Sequence, residues 1–299
     1  MAEFCASREG RLGDVVEYAR GWGGDTNNFI VAVARLGGKA GYMCRLGGDE
    51  FGRSFLDLWR RERVDARRVV VEPGGFTAVY FISLTGGGGH DFTYYRAGAA
   101  ASRFSTVDLD LEYLRGARLL HTSGISLAVS PSLREACLTA MRVVKAAGGM
   151  ATFDVNMRPK LWDIEMARAA CEEAFRLSDI VFASMEDMAT LYGIRSPRDA
   201  SDKLSGFGPG TVVMKHGREG CLVSSGGEVF ESPGFNVKVV DTTGAGDAFD
   251  GAFSLASLEG WEPRRRAAFA NAVGALTATG LGAVAPIPTR SAALGLMGG

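Results

Sequence analysis

The chain has only five cysteines, three histidines and nine prolines in 299 residues. Cys5, Cys44, Cys137, Cys171 and Cys221 are scattered, odd in number and never spaced C-x-x-C. That argues against a disulfide framework and predicts reduced, mostly buried thiols of a cytoplasmic protein. With His90, His121 and His216 far apart and no clustered cysteine, a structural zinc site is disfavoured too. No apolar run approaches the ~20 residues of a membrane span, and the N-terminus lacks a basic-then-apolar secretory layout. Neither sign of charge dominates: the formal net charge of −1 gives no global nucleic-acid signature. Two common phosphate-binding fingerprints are missing as well. Gly37-Gly38-Lys39 is followed by Ala40 where a P-loop needs Ser or Thr, and no glycine stands five residues before Gly38. That segment reads as a helix stop. No G-x-G-x-x-G follows a strand and opens a helix, so a dinucleotide fold is not indicated either.

What is present is an ordinary apolar content of 46%, enough chain for one large α/β domain, and no repeat or low-complexity linker. From about residue 115 short apolar runs alternate with amphipathic stretches. Leu119–His121 precedes a helix over 131–147, and Ala151–Val155 precedes one over 164–177. Ile180–Phe182 leads to a helix over 186–191, and Val212–Met214 follows. The rhythm predicts a mainly parallel sheet covered by helices on both faces. Two further helices, near 248–258 and 263–279, close the chain. Ligands of such sheets sit at the carboxyl ends of the strands, where Asp154, Asn156, Ser184 and Lys215 fall. The stretch 69–96 differs. Residues 78–84, four glycines at 86–89, then 90–96 read as a β-hairpin with a mobile tip. Such an excursion is the usual source of a lid or an oligomer contact. Period-two alternation puts Phe92, Tyr94 and Arg96 on one face of their strand, and Ala78, Tyr80, Ile82 and Leu84 on one face of the other. If the two faces coincide, Tyr80, Tyr94 and Arg96 line one cavity; a solvated aromatic hairpin is the alternative.

The most informative segment is Asp241-Thr242-Thr243-Gly244-Ala245-Gly246-Asp247-Ala248-Phe249-Asp250-Gly251. Its glycines allow a sharp turn, and the apolar run beyond reads as a helix, so unpaired N–H groups and a helix N-terminus converge there. That suits an anion, yet Asp247 sits inside the site. A carboxylate repels a resting phosphate, so its placement points to proton abstraction during phosphoryl transfer. A capped turn with Asp247 as N-cap is the structural alternative. A second glycine-rich segment, Gly23-Gly24-Asp25-Thr26-Asn27-Asn28, opens a helix-like run, with Asp25 or Thr26 as its expected cap.

Gly23-Gly24-x-x-x-Asn28, continuing through Ala34-Arg35-Leu36-Gly37 to Gly47-Gly48-Asp49-Glu50-Phe51-Gly52, resembles the first signature of the PfkB (ribokinase-like) family of sugar kinases. The 241–249 segment resembles the second, and order and separation match over nearly the whole chain. The resemblance implies a ribokinase-like three-layer α/β/α fold, with a mainly parallel central sheet and a small β lid near 1–20 and 69–97, in one domain over 1–299. It implies Asp247 as general base and the amides of Gly244, Ala245 and Gly246 as the anion hole. Lys215-x-Gly217-x-x-Gly220 resembles the family's nucleotide-side turn, with a solvated strand-end lysine as the alternative, and Asn271 falls where the adenine pocket is lined. Ser184 and Asp187 replace the family's Asn-x-x-Glu, which leaves no metal ligand directly assigned. The implied cofactors are ATP and Mg²⁺, the metal held largely by phosphate and water. Gly280-Leu281-Gly282-Ala283 resembles the monovalent-cation loop of some members. A cytoplasmic homo-oligomer acting on small molecules, with no nucleic acid and no membrane, completes the expectation. Family members open with a full strand ending in Gly-Glu, so Met1-Ala2-Glu3-Phe4 is expected to begin inside that strand. If that strand is central, neighbouring backbone groups lose partners.

Arginines decide the substrate class. Two guanidinium groups aimed at one pocket suit a carboxylate, which a neutral sugar lacks. Segments 23–26, 94–102 and 154–162 resemble 2-keto-3-deoxygluconate kinases. Carried over, Gly24, Asp25 and Asn28 meet sugar hydroxyls, Tyr80, Tyr94 and Ile125 shape the pocket, and Arg96 and Arg158 grip the acid. An ion pair of Arg158 with Asp154, or a loop staple, is the structural alternative. A ribokinase- or fructokinase-type enzyme for a neutral sugar, and a non-catalytic sensor on the same fold, remain as competing readings.

Overall fold

Alternation of apolar residues sets the strands, and capped amphipathic runs set the helices between them. The computed structural model describes residues 1–85 and 89–298, so Gly86–Gly88 of the expected glycine turn lie outside the described residues. The first part of the chain holds β1 (Ala2–Glu9), β2 (Tyr18–Trp22), α1 (Asp25–Arg35), β3 (Arg45–Gly47), α2 (Glu50–Arg61), β4 (Val70–Glu72), β5 (Val79–Thr85) and β6 (Gly89–Tyr95). The middle holds α3 (Leu111–Arg115), β7 (Leu119–Ser123), α4 (Gly124–Val129), α5 (Pro131–Ala146), β8 (Met150–Asp154), α6 (Ile164–Leu177), β9 (Ile180–Ser184), α7 (Met185–Tyr192), α8 (Pro197–Ser205) and β10 (Thr211–Lys215). Then come β11 (Gly220–Ser225), β12 (Glu228–Pro233), α9 (Ala245–Leu258), α10 (Pro263–Thr277) and α11 (Arg290–Gly298). No described helix is long and apolar enough to cross a membrane.

The larger sheet has the order β12-β11-β10-β9-β8-β7. Strands β7 to β10 run parallel, while β11 and β12 add as antiparallel neighbours. Period two in β9 sends Ile180 and Phe182 into one core, with α1, α9 and α10, and Val181 and Ala183 into the other, with α5, α6 and α7. Both faces of the sheet are thereby covered, and both strand faces read as apolar. Helix starts follow local chemistry: Ser130 accepts from the Leu133 amide ahead of Pro131, and Asp163 from the Met166 amide.

A second sheet, β2-β1-β5-β6, carries the hairpin. Its register pairs Tyr80 with Tyr94 and Ile82 with Phe92, so the two expected faces coincide. Residues 70–72 do not join this sheet; β4 pairs with β3 in a separate two-stranded ribbon. The helix opening at 25 has Gly24 as its N-cap with no side-chain cap, in place of the expected Asp25 or Thr26. Residues 2–9 form a complete strand of the second sheet, and the larger sheet ends at β7. Between β7 and the 41–46 segment lies a cavity of about 940 Å³, walled by Phe29 and Val33 of α1 and by Leu133 and Cys137 of α5, with Met1 also lining it. All five cysteines are free.

Candidate active site

The 241–251 segment folds as its glycines require. Gly244 has φ +78° and caps α9, and a Cβ there would stand 2.6 Å from the Ala283 carbonyl oxygen. Only glycine fits that turn without strain. The cap is thus Gly244, and Asp247 sits in the first turn, which removes the reading of Asp247 as a capping residue. Ala245 donates its amide to the Thr242 carbonyl at 3.2 Å. Of the three expected anion-hole amides, Ala245 therefore already has an acceptor, while those of Gly244 and Gly246 have no backbone acceptor among the described residues.

Asp247 is held from two directions. Asn28 Nδ2 donates to its Oδ2 at 2.8 Å, and Asn156 Nδ2 approaches Oδ1 at 3.5 Å. The two glycine-rich segments, 219 residues apart in sequence, meet through that first bond. Burial, then the neighbouring Asp25, push the Asp247 carboxyl up to about 6 against the Asn28 bond. Asn156 adopts φ +35°, a conformation non-glycine residues seldom take, just beyond the end of β8. Such backbone strain clusters at functional sites. Strand-end position was the signal in the sequence for Asn156; its reach to Asp247 was not legible there.

Nearby, Asp25 accepts a hydrogen bond from the Ser123 hydroxyl. Gly24, Asp25, Arg96 and Ile125 line the large cavity together. Gly23 must be glycine, because a Cβ would fall 2.0 Å from the Tyr80 hydroxyl oxygen. That hydroxyl donates to the buried Glu3 carboxylate, and neither Tyr80 nor Tyr94 is among the residues that line the large cavity. Tyr94 stacks on Tyr80 with ring centroids 5.9 Å apart, and the Arg96 guanidinium lies 5.0 Å over the Tyr94 ring. Burial lowers the Arg96 pKa; the nearby Tyr94 and Asp25 oppose that, and the Arg158 charge adds to it, which puts Asp25 and both arginines in one neighbourhood. Arg158 donates to its neighbour's carbonyl, Met157 O, at 2.8 Å and forms no ion pair with Asp154. Among the described residues neither guanidinium is within ion-pairing distance of a carboxylate.

Four expected positions have other engagements. Lys215 is no solvated strand-end charge: its ammonium turns inward to Asp154 Oδ2 at 3.0 Å and Asp250 Oδ2 at 2.9 Å. Asp250 was not singled out in the sequence, although a lone acid three residues after Asp247 in an apolar helix is a readable signal. Asn271 is buried, with Nδ2 donating to the Ser232 and Pro233 carbonyls at 3.0 and 3.1 Å, so its amide ties α10 to the end of β12. Ser184 and Asp187 form a capping box on α7, and the other Asp187 oxygen accepts from the Met157 amide at 2.7 Å. With both oxygens engaged, Asp187 has a structural job, and burial followed by Asp154 raises its pKa. No group of three metal-ligating side chains occurs among the described residues. Gly217 and Gly220 have φ of +57° and +103°, and a Cβ at Gly220 would lie 2.0 Å from Ser232 O. These glycines build the turn beyond β10.

The comparisons with known proteins bear on the family and the fold. A profile of the pfkB family carbohydrate kinases matches residues 2–290. The chain is 34% identical to a 2-dehydro-3-deoxygluconokinase of Thermoproteus tenax over 280 residues, covering 92% of this chain and 85% of that protein. It is 36% identical to Fructokinase-1 of Oryza sativa subsp. japonica over 295 residues, covering 96% and 91%. A crystal structure of a putative ribokinase II of E. coli in complex with ATP and Mg²⁺ superposes with a TM-score of 0.91 at 29% identity, covering 99% of this chain and 96% of that one. The fold is the ribokinase-like α/β fold, and the chain belongs to the PfkB family of carbohydrate kinases.

Proposed function

We propose that the protein transfers the γ-phosphoryl group of ATP to the terminal hydroxyl of 2-keto-3-deoxygluconate. The observation that carries the substrate is the pair Arg96 and Arg158, two guanidinium groups in one neighbourhood, neither in an ion pair with a carboxylate, although Asp25 lies near Arg96. Unpaired forked cations beside a pocket suit the carboxylate of a sugar acid and have no counterpart in a neutral sugar. In this reading Asp247 takes the proton of the acceptor hydroxyl, with Asn28 orienting the carboxylate. The amides of Gly244 and Gly246, assisted by Ala245 and the α9 N-terminus, receive charge that moves onto the phosphoryl oxygens. Gly24, Asp25 and Asn28 meet the sugar hydroxyls, and Tyr80, Tyr94 and Ile125 close the pocket. Gly217 and Gly220 form the nucleotide side.

Mg²⁺ enters with ATP, held by phosphate oxygens and water, and supplies charge neutralisation. A monovalent cation beside the 280–283 loop, a cytoplasmic homo-oligomer and a single kinase domain over 1–299 belong to the same proposal. Similar identity to fructokinases supports a neutral-sugar kinase as the second reading.

An ATP-consumption screen across ketodeoxy acids, hexoses, ribose and adenosine tests the substrate. Arg96→Met and Arg158→Met should each lower kcat/KM for the acid sugar by about 10²-fold, the loss of a bidentate charged contact. Neutral-sugar turnover should stay near its starting value. Acid-sugar turnover that survives both changes removes the carboxylate assignment.

A further inference from the structure

The buried charges behind the anion hole have no part in the mechanism just given. Lys215 Nζ bonds Asp154 Oδ2 at 3.0 Å and both oxygens of Asp250, at 3.2 and 2.9 Å. The side chains are 15%, 4% and 0% exposed. These contacts tie the ends of β8 and β10 to the second turn of α9. A Cβ built on Gly246 would lie 3.6 Å from the ammonium, so Lys215 stands directly behind the anion-hole glycine. Both arms of the cluster lead to Asp247. Asp250 is one helical turn further along α9, and Asp154 precedes by two residues Asn156, which approaches Asp247 Oδ1.

We infer that Lys215 is a positioning residue for phosphoryl transfer: with Asp154 and Asp250 it clamps the first turns of α9 to the strand ends and does not touch the nucleotide. This inference rests on Asp247 acting as base. An ammonium with three hydrogen bonds to carboxylates has no free donor direction of consequence to offer a phosphate. Its charge is also matched locally. Burial, then Asp154, push the Asp250 carboxyl well up, and a proton held between the two carboxyls leaves the cluster neutral beside Lys215. Burial alone would lower the Lys215 pKa, but Asp154 and Asp250 raise it on balance, so the ammonium stays charged. The groups facing Asp247 are Asp25 and Asn28 on α1, Asp154 on β8, Asn156 beyond it, Lys215 on β10 and Tyr80 on β5. Of these, Lys215 is the cation that favours the ionised base. Asp154 Oδ1 is buried without a hydrogen-bond partner among the described residues, so this carboxyl is held through its Oδ2 contact with Lys215.

The test uses full-length Lys215→Met, Lys215→Arg and Asp250→Asn, with steady-state kinetics against pH and ATP affinity by calorimetry. Lys215→Met should lower kcat by about 10²-fold, as expected for a disturbed anion hole, while the Kd for ATP changes less than about threefold. The acidic limb of its kcat/KM profile should move upward in pH, since the cation favouring ionised Asp247 is gone. Asp250→Asn, which keeps the shape but weakens the clamp, should lower kcat in the same direction as Lys215→Met and by less, with the Kd for ATP again within about threefold. If Lys215→Met does not fold, Lys215→Arg carries the kcat and ATP-affinity readouts, because a guanidinium does not fit the site of a compact ammonium, while its retained charge should leave the acidic limb near its wild-type position. An ATP Kd raised about tenfold or more with kcat and pH limb unchanged would overturn the inference and make Lys215 a nucleotide contact. Failure of the underlying reading looks different: Asp247→Asn would keep full turnover, whatever Lys215 variants do.

Discussion

As the proposed base, Asp247 faces opposite demands. That role requires it ionised to accept a proton, yet burial and Asp25 push its pKa up to about 6. The kcat/KM of the enzyme should therefore rise with pH to a plateau above a midpoint near 6, read from a pH–rate profile with saturating ATP. Stability should move the other way. A carboxyl whose folded pKa exceeds its unfolded value near 4 stabilises the fold fully below the unfolded value, and loses that contribution as pH rises through about 6. Asp247→Asn should thus lower kcat by about 10³-fold or more while gaining roughly 1–2 kcal/mol of stability at pH 8 over wild type. Denaturant melts at pH 4 and pH 8 check this: the gain should shrink at the acid end. An Asn variant with undiminished turnover removes Asp247 from the mechanism.

At the scale of the element, the start of α9 is the part least tolerant of change. Gly244→Ala puts a Cβ 2.6 Å from Ala283 O in a residue whose φ is +78°. The turn must open, at a cost of about 1–3 kcal/mol, and the amides it orients swing with it. The expected result is a lower Tm and a kcat reduced by about 10²-fold. Gly246→Ala meets nothing closer than the Lys215 ammonium at 3.6 Å and has ordinary φ, so its stability loss should be smaller. Equal Tm losses for both would show that the positive φ is not what fixes the turn. The hairpin illustrates what period two conveys: Tyr80 and Tyr94 share a face because strand pairing follows the pleat, whereas Arg96 lies just beyond the strand and reaches the Tyr94 ring from there.

Taken whole, the molecule has a large cavity at one end of its larger sheet. Among the described residues no strand pairs with the outer side of β7, and the cavity of about 940 Å³ beside it has apolar wall residues from both helix layers alongside Asp25 and Arg96. Empty apolar volume forfeits dispersion contacts, and an unpaired edge leaves N–H and C=O groups without partners. Because Met1 lines the cavity, an apolar strand-forming segment of about six residues fused before it can enter and pair. Such a fusion should raise Tm by several degrees, and the same segment with two lysines at inward positions should not. Equal Tm values for the apolar and the lysine fusions would show that the cavity does not accept a strand.

The sequence alone determined the alternation of strands and helices in the middle of the chain, the hairpin faces and the two glycine signatures. Each of these is a local pattern, set by periodicity or by a backbone conformation that only glycine adopts readily. Helix α2, helix α8 and the antiparallel pair β11–β12 escaped, since short amphipathic runs are not separated from loops by pattern alone. Tertiary structure alone decided the partners: Asn28 with Asp247, Lys215 with Asp154 and Asp250, Asn271 with the end of β12. Spacing cannot report which way a side chain at a strand end turns. A lysine beside a glycine turn can face the ligand or the core, and two buried carboxyls, distant in sequence, turned this one inward.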